Sequence, residues 1–174
     1  MVDDRKKELG GVNERMNTRN RVKLNLFSYI GSKTRISRKL INLFPKHVLY
    51  VEPFAGAASV LLNKPPSKVE VINDISDDIV NLFAVISSKD TFEKFVELLS
   101  RLAYSRSIYE KAKELLKKPF VFDPFNPDIR RAVIYYYFKN TAISGDGAFA
   151  ISRARPRHRD YFNKLKNYLK FTNG

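Results

Sequence analysis

Two carboxylates follow two short apolar runs at a spacing that suits nucleotide binding. Glu52 comes directly after the apolar residues 48–51. Asp74 closes a second run, residues 69–72, and stands 22 residues beyond Glu52. A turn of small residues around Gly56 and the start of an apolar helix lie between them. The pattern predicts a strand–helix–strand unit with its acids at the carboxyl edge of a parallel sheet, where open α/β sheets bind nucleotides.

The single glycine of the intervening turn limits the nucleotides that could bind there. A dinucleotide site uses G-x-G-x-x-G to bring its backbone against a pyrophosphate, whereas Gly56 is followed by three small residues that are not glycine. This favours an adenosine ligand without phosphates, and S-adenosylmethionine fits. Asp74 could accept hydrogen bonds from both ribose hydroxyls, and Glu52 could meet the ammonium of the methionine end. Alternatively, both acids only cap loops and Gly56 only serves a tight turn.

The length and composition of the chain limit the number of domains, the kinds of partner and the cellular location that are expected. The 174 residues suit one domain, or one domain with a small subdomain. A net charge of +14 favours a polyanionic partner such as nucleic acid, with a solvated basic surface as the ordinary alternative. The chain has no cysteine and two histidines, which argues against a metal centre. No run is long and apolar enough for a membrane span, and the N-terminus lacks a signal-peptide core, so we expect a soluble, cytoplasmic protein.

The chain divides into four predicted parts. Residues 1–22 are polar and charged and read as a flexible basic arm. Residues 23–89 form the cofactor-binding α/β part, and residues 90–159 form a helical target-recognition part. Residues 160–174 predict a helix and the start of a strand that return to the α/β part.

Helix signals are dense after the second strand. Four helix starts are predicted: Ser76 with Asp77 and Asp78, the capping pair Asp90 and Glu93, Ser107, and Asn126-Pro127-Asp128. The helix that starts at Ser107 is expected to run to Lys117 and to bury Leu115. On the helix that Asn126 begins, Tyr136 and Tyr137 have helical spacing and are expected in the core.

Three motifs in a fixed order carry a resemblance to a known family. They are residues 29–33 (YIGSK), 51–60 (VEPFAGAASV) and 72–75 (INDI). Together they resemble the cofactor motifs of the D12 class of N6-adenine DNA methyltransferases, the Dam-like group. Ala58 replaces the usual second glycine, and Ser32 stands where Gly or Asn is commoner. The resemblance implies a Rossmann-like, S-adenosylmethionine-dependent methyltransferase fold of α/β class, with a helical DNA-recognition subdomain.

The resemblance also assigns roles to individual residues. It implies that eight bind the cofactor: Tyr29 beside it, Lys33 in contact with it, Glu52, Pro53, Phe54 and Gly56 around its methionine half, Asp74 on the ribose and Ile75 on the adenine ring. Asn140, at the end of the helix that Asn126 begins, would contact double-stranded DNA as the loop after the equivalent helix does in the resembled family. The pattern of charges, independently of the resemblance, predicts that Arg153, Arg155, Arg157 and Arg159 also contact DNA. These arginines alternate with other residues, as on an extended segment that could follow phosphates or enter a groove, although a solvated basic loop is the alternative.

The sequence lacks the D-P-P-Y-type motif that performs catalysis in the resembled family. There an acid and a proline carbonyl accept both amino hydrogens of a flipped adenine, and no step needs a metal. Asp123-Pro124-Phe125-Asn126, after a possible strand at 120–122, is a partial substitute. It lacks the second proline, and a turn explains it without chemistry. We therefore assign no catalytic residue.

Three hypotheses follow for the function. The favoured one is an adenine N6 methyltransferase that is incomplete at its C-terminal side. This chain would supply cofactor binding and DNA recognition, and a complementary polypeptide or a missing C-terminal segment would supply catalysis. A half sheet would expose an apolar edge, so a partner chain or self-association is expected. The others are a non-catalytic DNA-binding module and a self-sufficient enzyme that uses Asp123.

Overall fold

The computed structural model describes residues 25–150. The helices are α1 (Ser37–Ile41), α2 (Asp77–Ser87), α3 (Lys89–Ser100), α4 (Arg106–Leu116) and α5 (Ile129–Thr141); the strands are β1 (Leu49–Glu52) and β2 (Val69–Ile72); and the short 3-10 helices are Lys33–Arg35, Leu61–Asn63 and Ile143–Gly145. The predictions for the N-terminal arm, for the four arginines at 153–159 and for the last helix and strand lie outside the described residues. No helix within 25–150 is long and apolar enough to cross a membrane.

The two predicted strands form a parallel pair. β1 and β2 lie in register from Leu49 opposite Val69 to Glu52 opposite Ile72. The predicted α-helix between them is wrong, because a series of turns and the single 3-10 turn Leu61–Asn63 connect the strands. Residues 65 and 66 are both proline, which removes backbone donors and holds the preceding residue in an extended conformation. A helix that starts at 60–62 therefore ends within one turn.

Helix α5 is the centre of the hydrophobic core. It packs against α2, α3 and α4. Tyr135, Tyr136 and Tyr137 are all buried, which confirms that the tyrosine cluster belongs to the core. The Tyr136 ring packs edge-on against Phe95, with 5.6 Å between centroids. Because α2 shares this core, the predicted cofactor part and the predicted recognition part pack directly on one another.

Arg131 joins three helices through its guanidinium group. Its Nε donates to Asp78 Oδ1 at 2.6 Å and its Nη2 to Asp78 Oδ2 at 3.0 Å. The same group donates to the last carbonyls of α4, those of Leu115 and Leu116, at 2.7 and 3.1 Å. A buried charge is tolerated when it is paired and its donors are used, as they are here. Arg131 thereby fixes α5 to α2 and to the end of α4.

Three details of the predicted helices are corrected by the structure. The N-cap of α5 is Asp128 and not Asn126, because the Asp128 side chain accepts from the Arg131 amide, the third amide of the helix. Helix α3 begins after Ser88 and shows no side-chain capping bond, so Asp90 and Glu93 are not a capping pair. In α4 Tyr109 is buried and Leu115 is partly exposed, because Tyr109 faces α5.

The fold class agrees with the prediction at a coarse level. Helices combine with a small parallel sheet, which is compatible with a methyltransferase fold. The Rossmann-like arrangement of a complete sheet and the role of 90–159 in DNA recognition stay predictions.

Candidate cofactor site

A cavity of about 270 Å³ opens at the carboxyl ends of β1 and β2. Its walls come from the three motifs that the sequence singled out. Seven of the eight predicted cofactor residues line it: Tyr29, Lys33, Glu52, Phe54, Gly56, Asp74 and Ile75. Pro53 does not line the cavity; its carbonyl accepts from Asn73 Nδ2 at 3.2 Å. The structure thus brings the motif residues together, and cofactor binding by them stays a prediction.

Asp74 connects the two loops that frame the cavity. Its Oδ2 accepts from the Gly56 amide at 2.8 Å and its Oδ1 from the Ser76 amide at 3.0 Å. The acid therefore does cap loops, as the alternative interpretation held. An ionised carboxylate offers about four acceptor positions, of which these bonds use two. Asp74 consequently retains acceptors for a ligand diol while it holds Gly56 in place.

Glu52 places a buried carboxylate in the same cavity. Its Oε2 accepts from the Leu61 amide at 3.2 Å. Burial raises the pKa of Glu52 above its usual 4.5, opposed by the Leu61 amide and by the cations Lys33 and Lys64. A cationic ligand group would stabilise the charged form of this carboxylate, which burial disfavours. An ammonium is the group that this position suits.

The turn after β1 needs backbone conformations that favour glycine. Gly56 has φ +50°, and a Cβ there would lie 3.1 Å from Tyr29 Cε1. Ala58 also has a positive φ, +47°, although it carries a Cβ. This is the position where the resembled family usually has its second glycine, so the alanine retains the backbone turn at some cost in strain. The close approach of Tyr29 explains why Gly56 has no side chain.

Three hydroxyl groups link two of the motifs, a contact that is not among the predictions made from the sequence. Ser59 Oγ lies 2.8 Å from Ser32 Oγ and 3.0 Å from Thr34 Oγ1, which are 2.7 Å apart. Lys33, between Ser32 and Thr34, is thereby fixed at the cavity wall. The signal in the sequence is a small hydroxyl residue in each of two motifs, Ser32 in the first and Ser59 in the second.

Two exposed apolar side chains flank the cavity. Phe54 and Ile75 both line it, yet Ile75 is almost fully exposed and Phe54 is largely so. Large apolar side chains that converge on a cavity mark a ligand or partner surface more often than isolated ones do. Both side chains therefore offer apolar surface to a ligand.

The remaining predicted residues lie away from this cavity. Asn140 is buried on α5, where its Nδ2 donates to the Tyr136 carbonyl at 2.9 Å, and its contact with DNA stays a prediction. Residues 120–122 form no strand, which corrects that expectation. Asp123 is exposed in a turn, where its Oδ1 accepts from the Phe125 amide at 2.9 Å. Among residues 25–150, no cluster of three or more acids or histidines could hold a metal ion.

Comparison with known proteins supports the resemblance. Residues 29–146 match the D12 class N6 adenine-specific DNA methyltransferases. The DNA adenine methylase of Salmonella typhi is 26% identical over 148 residues, which cover 80% of this chain and 50% of the relative. The DNA adenine methylase of Escherichia coli K12 is 27% identical over 121 residues, which cover 67% of this chain and 40% of the relative. The chain thus spans about half the length, or less, of these curated relatives.

Proposed function

This chain belongs to the D12 class of N6 adenine-specific DNA methyltransferases, and from that premise we propose that it binds S-adenosylmethionine at the strand ends for methylation of adenine N6 in double-stranded DNA. The observation that carries the proposal is the convergence of three separate motifs on one cavity. Motif residues that only stabilised local turns would not need to share a cavity.

The chemical groups of the cavity match those of the cofactor. Asp74 has acceptors left for the ribose hydroxyls, and the buried Glu52 suits the ammonium. Lys33 brings a cation to the same cavity, which suits the carboxylate of the methionine end. Ile75 and Phe54 offer apolar surface to the adenine ring. When bound, S-adenosylmethionine supplies a methyl group on a positively charged sulfur.

The residues of this chain orient the ligand and do not supply the catalytic acid. Methylation of N6 needs an acid and a carbonyl that accept the amino hydrogens of an adenine outside the base stack. Glu52 and Asp74 already accept backbone amides, and our proposal uses both for the cofactor. Asp123 does not line the cavity. We therefore assign catalysis to a D-P-P-Y-type motif on further polypeptide, either the rest of a longer protein or a separate chain.

The sheet provides a surface for that polypeptide. Leu49, Val51, Val69 and Val71 alternate along the paired strands and so share one face, where each is 45 to 54% exposed. Parallel sheets are normally covered on both faces and gain stability from that cover. Within residues 25–150 each strand also pairs on one side only. We propose that additional strands and helices cover this outer face and bring the catalytic motif to the cavity.

The test is transfer of a labelled methyl group from S-adenosylmethionine to duplex DNA, with N6-methyladenine as the measured product. The chain alone is expected to transfer nothing. The chain combined with the C-terminal part of a D12-class relative, which carries the D-P-P-Y-type motif, is expected to produce N6-methyladenine. Transfer by the chain alone that Asp123→Ala abolishes would contradict the assignment of catalysis. Methylation of cytosine instead would contradict the assigned substrate.

A further inference from the structure

Lys139 is a buried cation that does not line the cavity. Its side chain, on the last turn of α5, is 9% exposed and its Nζ forms an ion pair with Asp146. The same Nζ lies 5.3 Å from the ring centroid of Tyr29 and 5.4 Å from that of Tyr135. Lysine is almost never buried unless it is paired, and an ammonium over an aromatic face is attracted by the ring. One ammonium group thus holds a carboxylate and two rings together.

Tyr29 connects this ammonium to the candidate site. Its ring lines the cavity and packs against Gly56. The Gly56 amide in turn donates to Asp74, the proposed ribose ligand. A continuous series of contacts therefore runs from Asp146 through Lys139 and Tyr29 to the ligand-binding turn. A change in the position of the Tyr29 ring would therefore alter the position of Gly56.

The loop that carries Asp146 packs directly on the segment before Tyr29. This loop, residues 142–149, folds back through a bridge between Ala142 and Phe149. Gly145 has φ +90°, and a Cβ there would lie 2.2 Å from the Ser28 carbonyl oxygen. Tyr109, on α4, donates to the carbonyl of Gly147 at 2.5 Å. The loop is thus fixed between α4 and the backbone that leads into the cavity.

We propose that the Lys139–Asp146 ion pair positions Tyr29 against the ligand-binding turn, so that the loop 142–149 sets the affinity of the cavity for S-adenosylmethionine. The inference rests on the proposed function, since it concerns the same ligand and the same cavity. Lys139 acts through the Tyr29 ring and does not contact the ligand itself. It is therefore a positioning residue, contributed by the helical part of the molecule to a site on the sheet.

A purely structural ion pair makes a different prediction. Such a pair would stabilise α5 and its loop, and its removal would lower the free energy of unfolding without changing ligand affinity. A positioning pair changes ligand affinity in protein that is still folded. The two roles are separated by calorimetric titration of S-adenosylmethionine into variants whose folding is verified by circular dichroism.

The first variant is Asp146→Asn, which removes the carboxylate charge from a partly exposed position. It is expected to weaken binding of S-adenosylmethionine by about tenfold, a coupling of the usual size between linked sites. Asp146→Glu keeps the charge, has room because the side chain is 45% exposed, and is expected to stay within about twofold of the unaltered chain. Glu97→Gln is the matched control, since it removes a carboxylate from the exposed pair with Arg101 and should leave affinity unchanged.

Lys139→Met and the double variant Lys139→Met/Asp146→Asn complete a thermodynamic cycle. If the two residues act as one unit, the double variant should bind no more weakly than the weaker single variant. Unchanged affinity in either folded single variant would overturn the inference. A loss in Asp146→Glu equal to that in Asp146→Asn would also overturn it, because the charge would then be irrelevant. Failure of the unaltered chain to bind S-adenosylmethionine would instead refute the proposed function.

Discussion

The apolar residues of helices α2–α5 and those of the sheet β1–β2 differ in their exposure to solvent. In the helices, Leu82, Ile86, Phe95 and Leu99 are at most 1% exposed. On the outer face of the sheet, one leucine and three valines remain about half exposed. Burial of apolar surface contributes about 25 cal/mol per Å², so this face adds little to the stability of the chain alone. The helical part contains its own core, whereas one face of the sheet stays about half exposed among the described residues.

The largest expected loss of stability comes from a substitution at Arg131 in the helical part. Arg131→Met would leave Asp78 without its partner and the last carbonyls of α4 without donors. Removal of one partner from a buried ion pair costs about 3–5 kcal/mol. Urea unfolding should show this loss, and Arg130→Met, at the exposed neighbouring position, should change stability by less than about 0.5 kcal/mol. Equal effects at the two positions would mean that Arg131 does not anchor the helices.

The next effect tests the contact between the loop 142–149 and the segment before Tyr29. Gly145→Ala combines a positive φ with a Cβ that would lie 2.2 Å from Ser28 O. Gly31→Ala is the matched control, since its φ is +80° but nothing lies within 4 Å of its Cβ. Left-handed strain alone costs about 1–2 kcal/mol, so Gly31→Ala should lose that amount and Gly145→Ala distinctly more. Identical midpoints of urea unfolding would contradict the close packing.

A smaller loss of stability is expected when the same substitution is made in the helical core and on the sheet. Val→Thr replaces a methyl group by a hydroxyl of similar size. Val85→Thr, in the core, should lower the free energy of unfolding by about 1–3 kcal/mol because the hydroxyl is buried. Val71→Thr, on the outer face of the sheet, should change it by less than about 0.5 kcal/mol. A large loss for Val71→Thr in the chain alone would show that other residues of this chain already cover the face.

The smallest effect is a pH dependence at Glu52. Because burial raises the pKa of this carboxyl in the folded chain, the folded state holds the proton more tightly than the unfolded state does. Glu52 therefore contributes stability below pH 4.5, and this contribution is lost as the pH rises through the raised pKa. Glu52→Gln should be the more stable chain at pH 7, and its advantage should shrink as the pH falls toward 4.5. An advantage that does not change with pH would contradict the raised pKa.

The features that sequence reasoning predicted are those with local signals. Both strands follow from apolar runs that end in polar residues, and three motifs sufficed for the family, which the comparison with known proteins confirms. The predictions fail where two local signals compete. Residues 65 and 66, both proline, ended the helix expected between the strands. Asp128 and Asn126 are both good N-caps, and only the packed helix shows which one is used.

The contacts that join distant residues could not be predicted from one sequence. The hydroxyl group of Ser59 meets those of Ser32 and Thr34 across the turn after β1. Lys139 reaches Tyr29 from the far end of α5, and nothing in the local pattern of either residue indicates the contact. Such contacts depend on how the helices pack on the sheet. They are also the contacts that support the site.

The cavity at the strand ends is proposed to bind S-adenosylmethionine, and calorimetric titration tests this binding most directly. The unaltered chain and Asp77→Asn, a matched loss of charge at an exposed position of α2, should bind one equivalent with the same affinity. Asp74→Asn, which keeps an oxygen acceptor for the loop but loses the charge, should bind at least about tenfold more weakly. No binding by the unaltered chain, or equal binding by Asp74→Asn, would contradict the account.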